Sequence, residues 1–397
     1  MSAAELKAAT TLSLVFFLRM MPLFMVLPVL ALAAESYNEA TPQLLGLALG
    51  IYGLTQASLQ VPFGMWSDRW GRKPIITLGL IIFILGSLLA ATSDSIYGLI
   101  AGRALQGAGA VAASIMALAA DLTTPQHRTK AMALIGMSIG GAFSLAFICG
   151  PLLFPHIGIN GLFYIGAGMA ALAIILLWFV VPKPEIQQTR SNMTMASFKS
   201  VLFDNHLIKL NFSIFSSHLI LMANFVVTPL AIHDLLNTTI SSDWQVYLIV
   251  IFASLLIMVP FIILSSRLNK ERLFFTLSIF LIAISQAGLA FSTHDLSSIV
   301  ILLIVFFGAF NYMEAFLPSE VSKTSKTEIK GTALGVYSSS QFIGIFIGGL
   351  AGGFFHQQYG DASVYLFCLI ISLIWFAITL FFSNANPIEN KLEEDAV

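Results

Sequence analysis

Four ionisable side chains, Arg19, Arg103, His218 and Glu314, stand inside long apolar runs of the chain. A cation at the centre of a membrane helix costs about 2.5–3.5 kcal/mol on the insertion scale, so such groups face a partner, a water-filled cavity or an ion pathway. Glu314, in the group Asn311-Tyr312-Met313-Glu314, is the one acid well inside such a run. It lies about seven residues, roughly 10 Å, from the end of its run, and Arg19 lies at similar depth. The two are placed to pair across a cavity. A carboxyl that alternates between two such settings is what proton coupling requires, although a permanent structural pair would use the same residues. Arg103 lies about eight residues, roughly 12 Å, from the other end of its run, and is either bonded to helix-end carbonyls or part of the coupling machinery. His218, among polar neighbours, is either a second titrating group or a structural hydrogen-bonding residue. Tyr52, Gln56, Gln106, Asn224, Asn311, Tyr337 and Gln341, interspersed with Phe and Met, are candidate linings of a mixed amphipathic cavity.

Three short segments carry local chemistry. Gly64-Met65-Trp66-Ser67-Asp68-Arg69-Trp70-Gly71-Arg72-Lys73-Pro74 places small residues and charges at a helix-to-helix turn. Gly64 would admit a neighbouring helix, Gly71 a tight turn, and Asp68 at a helix end would accept bonds from Arg72, forming a breakable latch. A topogenic charge cluster is the alternative. Arg103-Ala104-Leu105-Gln106-Gly107-Ala108-Gly109 joins the buried arginine to small residues. Gly141, with eight residues between it and Gly150-Pro151, sets small residues on one helix, as do Gly136, Gly140, Gly344, Gly348 and Gly352. Ordinary close helix packing accounts for all of these.

These residues must be positioned by membrane helices. The 397-residue chain is 57% hydrophobic and 10% charged, where soluble domains carry about a quarter charged residues. Its apolar runs are continuous, which excludes a barrel and leaves helices, whose backbone groups are all satisfied internally. Breaks at charged, Pro and Asn/Asp clusters give twelve spans near 10–34, 43–66, 74–93, 95–121, 130–155, 160–182, 207–233, 243–265, 272–293, 297–321, 330–356 and 361–383. Every Lys and Arg except Arg19 and Arg103 falls in the N-terminal segment, the even-to-odd loops or the C-terminal tail. The positive-inside rule therefore places both termini in the cytoplasm. The first run is read as an uncleaved span, being too long for a signal peptide and interrupted by Arg19.

A polar stretch over 183–206 separates residues 1–182 from 207–385, and an acidic tail follows over 386–397. Val61-Pro62-Phe63 recurs as Val259-Pro260-Phe261 at an offset of 198, and the Asp121 to Gly136 spacing recurs as Glu320 to Gly335 at an offset of 199. The expected fold is an all-α membrane protein with two parallel-repeat six-helix bundles. The second repeat keeps Ser266, Arg267 and Lys270 but lacks the acid and both glycines, so its latch should differ. Cys149 and Cys368 lie inside apolar runs and read as small buried residues.

The loop after the second span resembles the G-x-x-x-D-R-x-G-R-K/R signature of the major facilitator superfamily, and the Arg103 segment resembles that family's R-x-x-Q-G-x-G motif. The resemblance implies a charge network of Asp68 and Arg72 with Asp121 at the end of the fourth span. Gly141 to Pro151 resembles the start of the antiporter motif, but Leu152-Leu153-Phe154-Pro155 replaces its last glycines. Arg19-Met20, Met25-Val26-Leu27-Pro28, Gly50 to Gln56, Asp121-Leu122-Thr123, Arg128 to Ala133 and Lys330 to Ser338 resemble the YajR-type group of bacterial transporters. That group implies a proton-driven antiporter of the bacterial inner membrane without naming its substrate, and the cavity candidates add the expectation that it exports a small amphipathic molecule. Many of its members end in a small cytoplasmic domain that is not expected here. A proton-coupled importer of a siderophore-like or metabolite ligand is the alternative, and a transport-derived sensor a weaker one. The expected partners are the lipid bilayer, a small-molecule substrate and protons, with the chain a monomer. No basic stripe for nucleic acid, no metal-ligand spacing, no phosphate-cradling loop and no Ser/His/Asp set stands out, so neither cofactor nor enzymatic activity is expected.

Overall fold

The computed structural model describes residues 1–182, 200–236, 243–291, 295–325 and 329–381. Most of the expected 183–206 linker and all of the 386–397 tail lie outside them. Twelve helices follow in order: α1 Ala3–Met25, α2 Pro42–Trp70, α3 Arg72–Thr92, α4 Ile96–Ala108, α5 Ala112–Asp121, α6 Pro125–Phe179, α7 Asn205–Leu236, α8 Asp243–Arg267, α9 Glu271–Phe291, α10 Leu296–Thr324, α11 Lys330–Tyr359 and α12 Asp361–Phe381. Among the described residues there is no strand, only an isolated bridge between Asn38 and Ser95. Among the described residues eleven stretches are long and apolar enough to cross a membrane, with α4 and α5 together making one of them. The longest, α6, is two helices joined at a kink, where Gly158 at φ 65° leaves the helical conformation, and it holds two crossings. Twelve crossings result.

Boundaries depart from the sequence reading where backbone chemistry intervenes. The first span was expected to reach residue 34, yet α1 ends at Met25. Pro28 has no N–H to continue the ladder, and the chain passes through tight turns such as Val29 N–H to Val26 O at 3.2 Å. The fourth span is broken at Gly109, where ψ is 56°. Starts are well capped: Ser2 and Glu5 form a reciprocal capping box on α1, and the Thr41 side chain caps α2 ahead of Pro42.

The two halves meet along two seams, α2 on α11 and the first part of α6 on α8. On the first seam the backbones touch. A Cβ built on Gly46 would lie 2.2 Å from the Gly349 carbonyl oxygen, one on Gly50 2.8 Å from Phe346 O, and one on Gly53 2.5 Å from Phe342 O. Lipid tails are as apolar as the side chains, so this dispersion contact is what holds helices together there. The same faces separate toward the loops that carry the cations. Gly335 lies two heptads before Gly349, on the same side of α11, and a Cβ there would meet nothing within 4 Å. Gly64, two heptads beyond Gly50 on α2, meets only Ala113 of its own half, at 3.8 Å. The α6 seam repeats the pattern: Phe147 packs on Tyr247 at 5.9 Å, while Gly136, Gly140 and Gly141 face open space. The halves are therefore closed at one end and parted at the basic-loop end.

Gly50→Leu should force α11 off α2, since backbone is in the way, at an overpacking cost of about 1–3 kcal/mol. A Leu45→Cys reporter, buried at 7% exposure beside this seam, should change from protected to reactive. Gly136→Leu, built into open space, should leave it protected. Unchanged labelling in Gly50→Leu would refute the seam as the closing contact.

Candidate functional site

Each half holds its own buried polar cluster. In the first half, Arg19 is 1% exposed and donates from Nη2 to Gln56 Oε1 at 2.9 Å and to the Gly109 carbonyl at 3.3 Å. That carbonyl is available because the helix is broken there: Gly107 and Gly109 let the fourth span press against the backbones of Tyr52 and Gly79. Arg103, fully buried, donates to Gln106 Oε1 at 2.8 Å and Ala48 O at 3.3 Å and lies 4.6 Å over the Tyr52 ring. Gln106 in turn donates to Ser87 Oγ at 2.8 Å. Both arginines thus rest on neutral acceptors and aromatic faces, and Arg19 Nε and Arg103 Nη2 have no partner. The expected pairing of Arg19 with Glu314 is not made. On α1 the half-buried positions Phe17, Met21 and Phe24 form one stripe at helical spacing, and Arg19, two residues from Met21, points the other way. Tyr52, Gln56 and Gln106, expected in the cavity, serve this inward-turned cluster instead.

In the second half, Glu314 Oε1 on α10 lies 3.7 Å from His218 Nδ1 on α7, and the carboxyl side chain is 34% exposed. The Gln341 amide of α11 donates from Nε2 to His218 Nε2 at 2.7 Å, so that ring nitrogen is the acceptor. The His218 ring leans on Phe310 at 5.3 Å, one turn above Glu314, and Tyr337 is buried within electrostatic reach of the carboxylate. Asn311 donates to Ser254 Oγ at 3.2 Å. Asn224 is 4% exposed with neither amide atom bonded, beside a small void bordered by Tyr247 and Phe306. The structure therefore gathers His218, Glu314, Tyr337 and Gln341, and Gln341 supplies the partner that spacing alone does not indicate for His218. Above them an aromatic layer crosses both halves: Phe143 stands 5.3 Å from Phe24, 6.2 Å from Phe307 and 6.4 Å from Phe310.

At the basic-loop end, Arg72 forms an ion pair with Asp68, donates to Ser67 Oγ at 2.8 Å and pairs through Nε with Asp121 Oδ2 at 3.0 Å. Gly71 makes the expected turn at φ 94°, and Arg69 is exposed. All these contacts stay within the first half. Gly64 admits no helix from the other half in this state. The second half has its own bridge at the corresponding place with the signs exchanged: Lys323 lies 3.3 Å from Glu271 at the start of α9 and 3.9 Å from Glu320. Motif matching missed it because the cation sits at the end of α10 and not in the α8–α9 turn. The close-packing reading fits Gly150, Gly344 and Gly348, whose Cβ positions would fall within about 2.3 Å of backbone carbonyls. It fails for Gly136, Gly140 and Gly141, which face open space. Pro151 lies inside α6, and no disulfide joins Cys149 to Cys368.

Two helical halves that touch at one end and part at the other, each with a polar core, define a membrane transporter. The Major Facilitator Superfamily model matches residues 12–319 and again 210–396, and the chain belongs to that superfamily. Among individual proteins, the inner membrane transport protein YajR of Escherichia coli strain K12 is 43% identical over 380 residues, 95% of this chain and 84% of that one. The class B tetracycline resistance protein of Escherichia coli is 31% identical over 199 residues, 47% of each chain. In fold, the crystal structure of a point mutant of the nucleoside transporter NupG superposes with a TM-score of 0.76 at 15% identity, covering 96% of this chain and 100% of that one.

Three substitutions test this geometry. Arg72→Ala removes three polar contacts of a mostly buried side chain and should lower stability by about 1–3 kcal/mol. Lys323→Ala, 57% exposed, should stay within about 0.5 kcal/mol. Equal melting temperatures for the two would contradict the described burial. Arg19→Met should lower stability by about 1–3 kcal/mol, because it leaves the buried Gln56 Oε1 and the Gly109 carbonyl without their donor. A true Arg19–Glu314 pair would instead cost about 3–5 kcal/mol on losing one partner.

Proposed function

We propose that this transporter is a proton-coupled antiporter of the bacterial inner membrane, working by alternating access as a monomer with both termini in the cytoplasm and exporting a small amphipathic molecule. The observation that carries the coupling assignment is Glu314: an acid in the middle of a span, partly water-exposed and 3.7 Å from a buried histidine. A proton can shift a conformational equilibrium only through differential binding to the two states. Glu314 supplies that difference if its surroundings change when the basic-loop end closes. The parted seams supply the movement, and if basic loops mark the cytoplasm the present state is inward-facing. The partial likeness to a tetracycline resistance protein favours export over the alternative, a proton-coupled importer. Gln341 holds His218 in place beside the carboxyl, whose Oε1 is buried with no hydrogen-bond partner. The cores around Arg19 and Arg103 act as a fixed wall.

In a background of Cys149→Ser and Cys368→Ser, a Gly335→Cys reporter should label rapidly in the open state, with a rate that varies between pH 5.5 and 8.5. Glu314→Gln should hold the rate at its low-pH value. With a substrate drawn from a thermal-shift screen, Glu314→Gln should abolish proton-driven uptake into everted vesicles while keeping counterflow. Full proton-driven transport by Glu314→Gln would end the coupling assignment, and uptake into right-side-out cells driven by the same gradient would reverse the direction.

A further inference from the structure

The closed end of the α2–α11 seam carries a polar contact that glycine packing does not explain. Among the described residues, one hydrogen bond joins the two halves: the Gln43 backbone N–H of α2 donates to Gln357 Oε1 of α11 at 3.1 Å. No ion pair among the described residues crosses between them. The bond answers a local need of α2, because the first amides of a helix have no partner within it. Pro42 has no N–H. The Leu44 N–H is taken by Thr41 Oγ1 at 3.2 Å, and that of Leu45 by Thr41 O at 2.9 Å. Gln43 is left over, and its partner comes from the other half. Gly353, one turn before Gln357, brings the two chains this close: a Cβ there would lie 2.6 Å from Pro42 O and 3.0 Å from Gln43 Cα.

Charge works in the same direction. α2 begins at this end and α11 finishes here at Tyr359, so the positive end of one macrodipole lies against the negative end of the other. The charged groups beside Gln357 in the chain, His356 and Asp361, are paired with each other at 2.7 Å. Gln357 therefore sets a neutral amide where a carboxylate would hold the α2 terminus more firmly. It is also exposed, so water takes its place when the contact parts. From this we infer that Gln357 is the polar clasp of the closed end: it completes the α2 cap only while the halves touch there, and its neutrality keeps the clasp easy to release. The inference rests on the two ends exchanging, as alternating access requires, and not on which residue carries the proton. A contact shifts an equilibrium only through what differs between its states, so charge at position 357 acts with a definite sign. An anion favours closure of this end, loss of the acceptor weakens it, and a cation opposes it.

Two reporters in the Cys149→Ser, Cys368→Ser background read the opening. Leu45→Cys lies beside the clasp, at a position 7% exposed. Phe147→Cys lies on the second seam, where the native ring is fully buried against Phe225, Tyr247 and Phe307 of the other half. A membrane-impermeant maleimide is applied to right-side-out vesicles, which present the closed end. Gln357→Leu and Gln357→Lys should label both reporters about two- to fivefold faster, with Lys the faster, and Gln357→Glu should label both about two- to fivefold more slowly. High salt should narrow the gap between Gln357→Glu and Gln357→Lys, because exposed charges are screened. Melting temperatures should match wild type throughout, since the side chain is exposed. Equal rates across the series, or acceleration by Gln357→Glu, would overturn the clasp. A change at Leu45→Cys with none at Phe147→Cys would also overturn it, because Gln357 would then steady only the first turn of α2. Phe147→Cys that stays unlabelled in every variant, Gly50→Leu included, would remove alternating access itself and the clasp with it.

Discussion

Within hydrocarbon there is no water to complete the bonds of a polar group, so every buried donor in this chain must find a partner in the protein or go without. That constraint explains why the first half is built as it is. Two guanidiniums are accommodated by Gln56, Gln106, Ser87 and the faces of Tyr52 and Phe83. A further acceptor comes from breaking a helix: the fourth span gives up its regular ladder at Gly109, and the freed carbonyl accepts from Arg19. Glycines at 107 and 109 make the break possible by letting that span press onto its neighbours. The result is a stiff, positively charged core with no carboxylate, which the cleft does not reach.

The second half answers the same constraint differently. Its buried histidine is bonded to Gln341 and stands beside an acid that water can partly reach. Glu314 Oε1 has no hydrogen-bond partner, whereas each arginine is bonded to side-chain and backbone acceptors of its own half.

The seams convert this into motion. Glycines at 46, 50, 53, 349 and 353 bring α2 and α11 into backbone contact at one end, where tight dispersion contact holds without help from a hydrophobic effect. At the other end the same helix faces carry Gly64 and Gly335 and touch nothing across the cleft. Small residues are thus present at both ends, and only one set is in use in this state. The ion clusters around Arg72 and Lys323 each lie at a basic-loop end and within their own half.

Much of this was legible in the residues. Apolar runs of membrane length, the placement of cations, the repeat at offsets near 198 and the Asp68–Arg72 pair could all be read directly, because hydrophobic burial and local charge pairing depend on sequence over short distances, whereas the link from Arg72 to Asp121, 49 residues on, came only from the resemblance to the superfamily. The glycine turn at 71 and the isolation of Glu314 inside a span were equally plain. What the sequence did not determine is direction around each helix axis and contact across halves. Arg19 and Glu314 match in depth, yet a rotation of about half a turn sends Arg19 into its own half, since depth follows from counting residues and azimuth from packing against α2, the fourth span and α6. The same holds for Tyr52, Gln56 and Gln106, polar residues that serve an inner cluster and not the cavity. Gly136 and Gly141 were read as packing residues, and they stand free because a transporter has two packings and one structure holds one of them. Which small residues touch, and which carboxyl meets which base, was decided only when twelve crossings settled against each other.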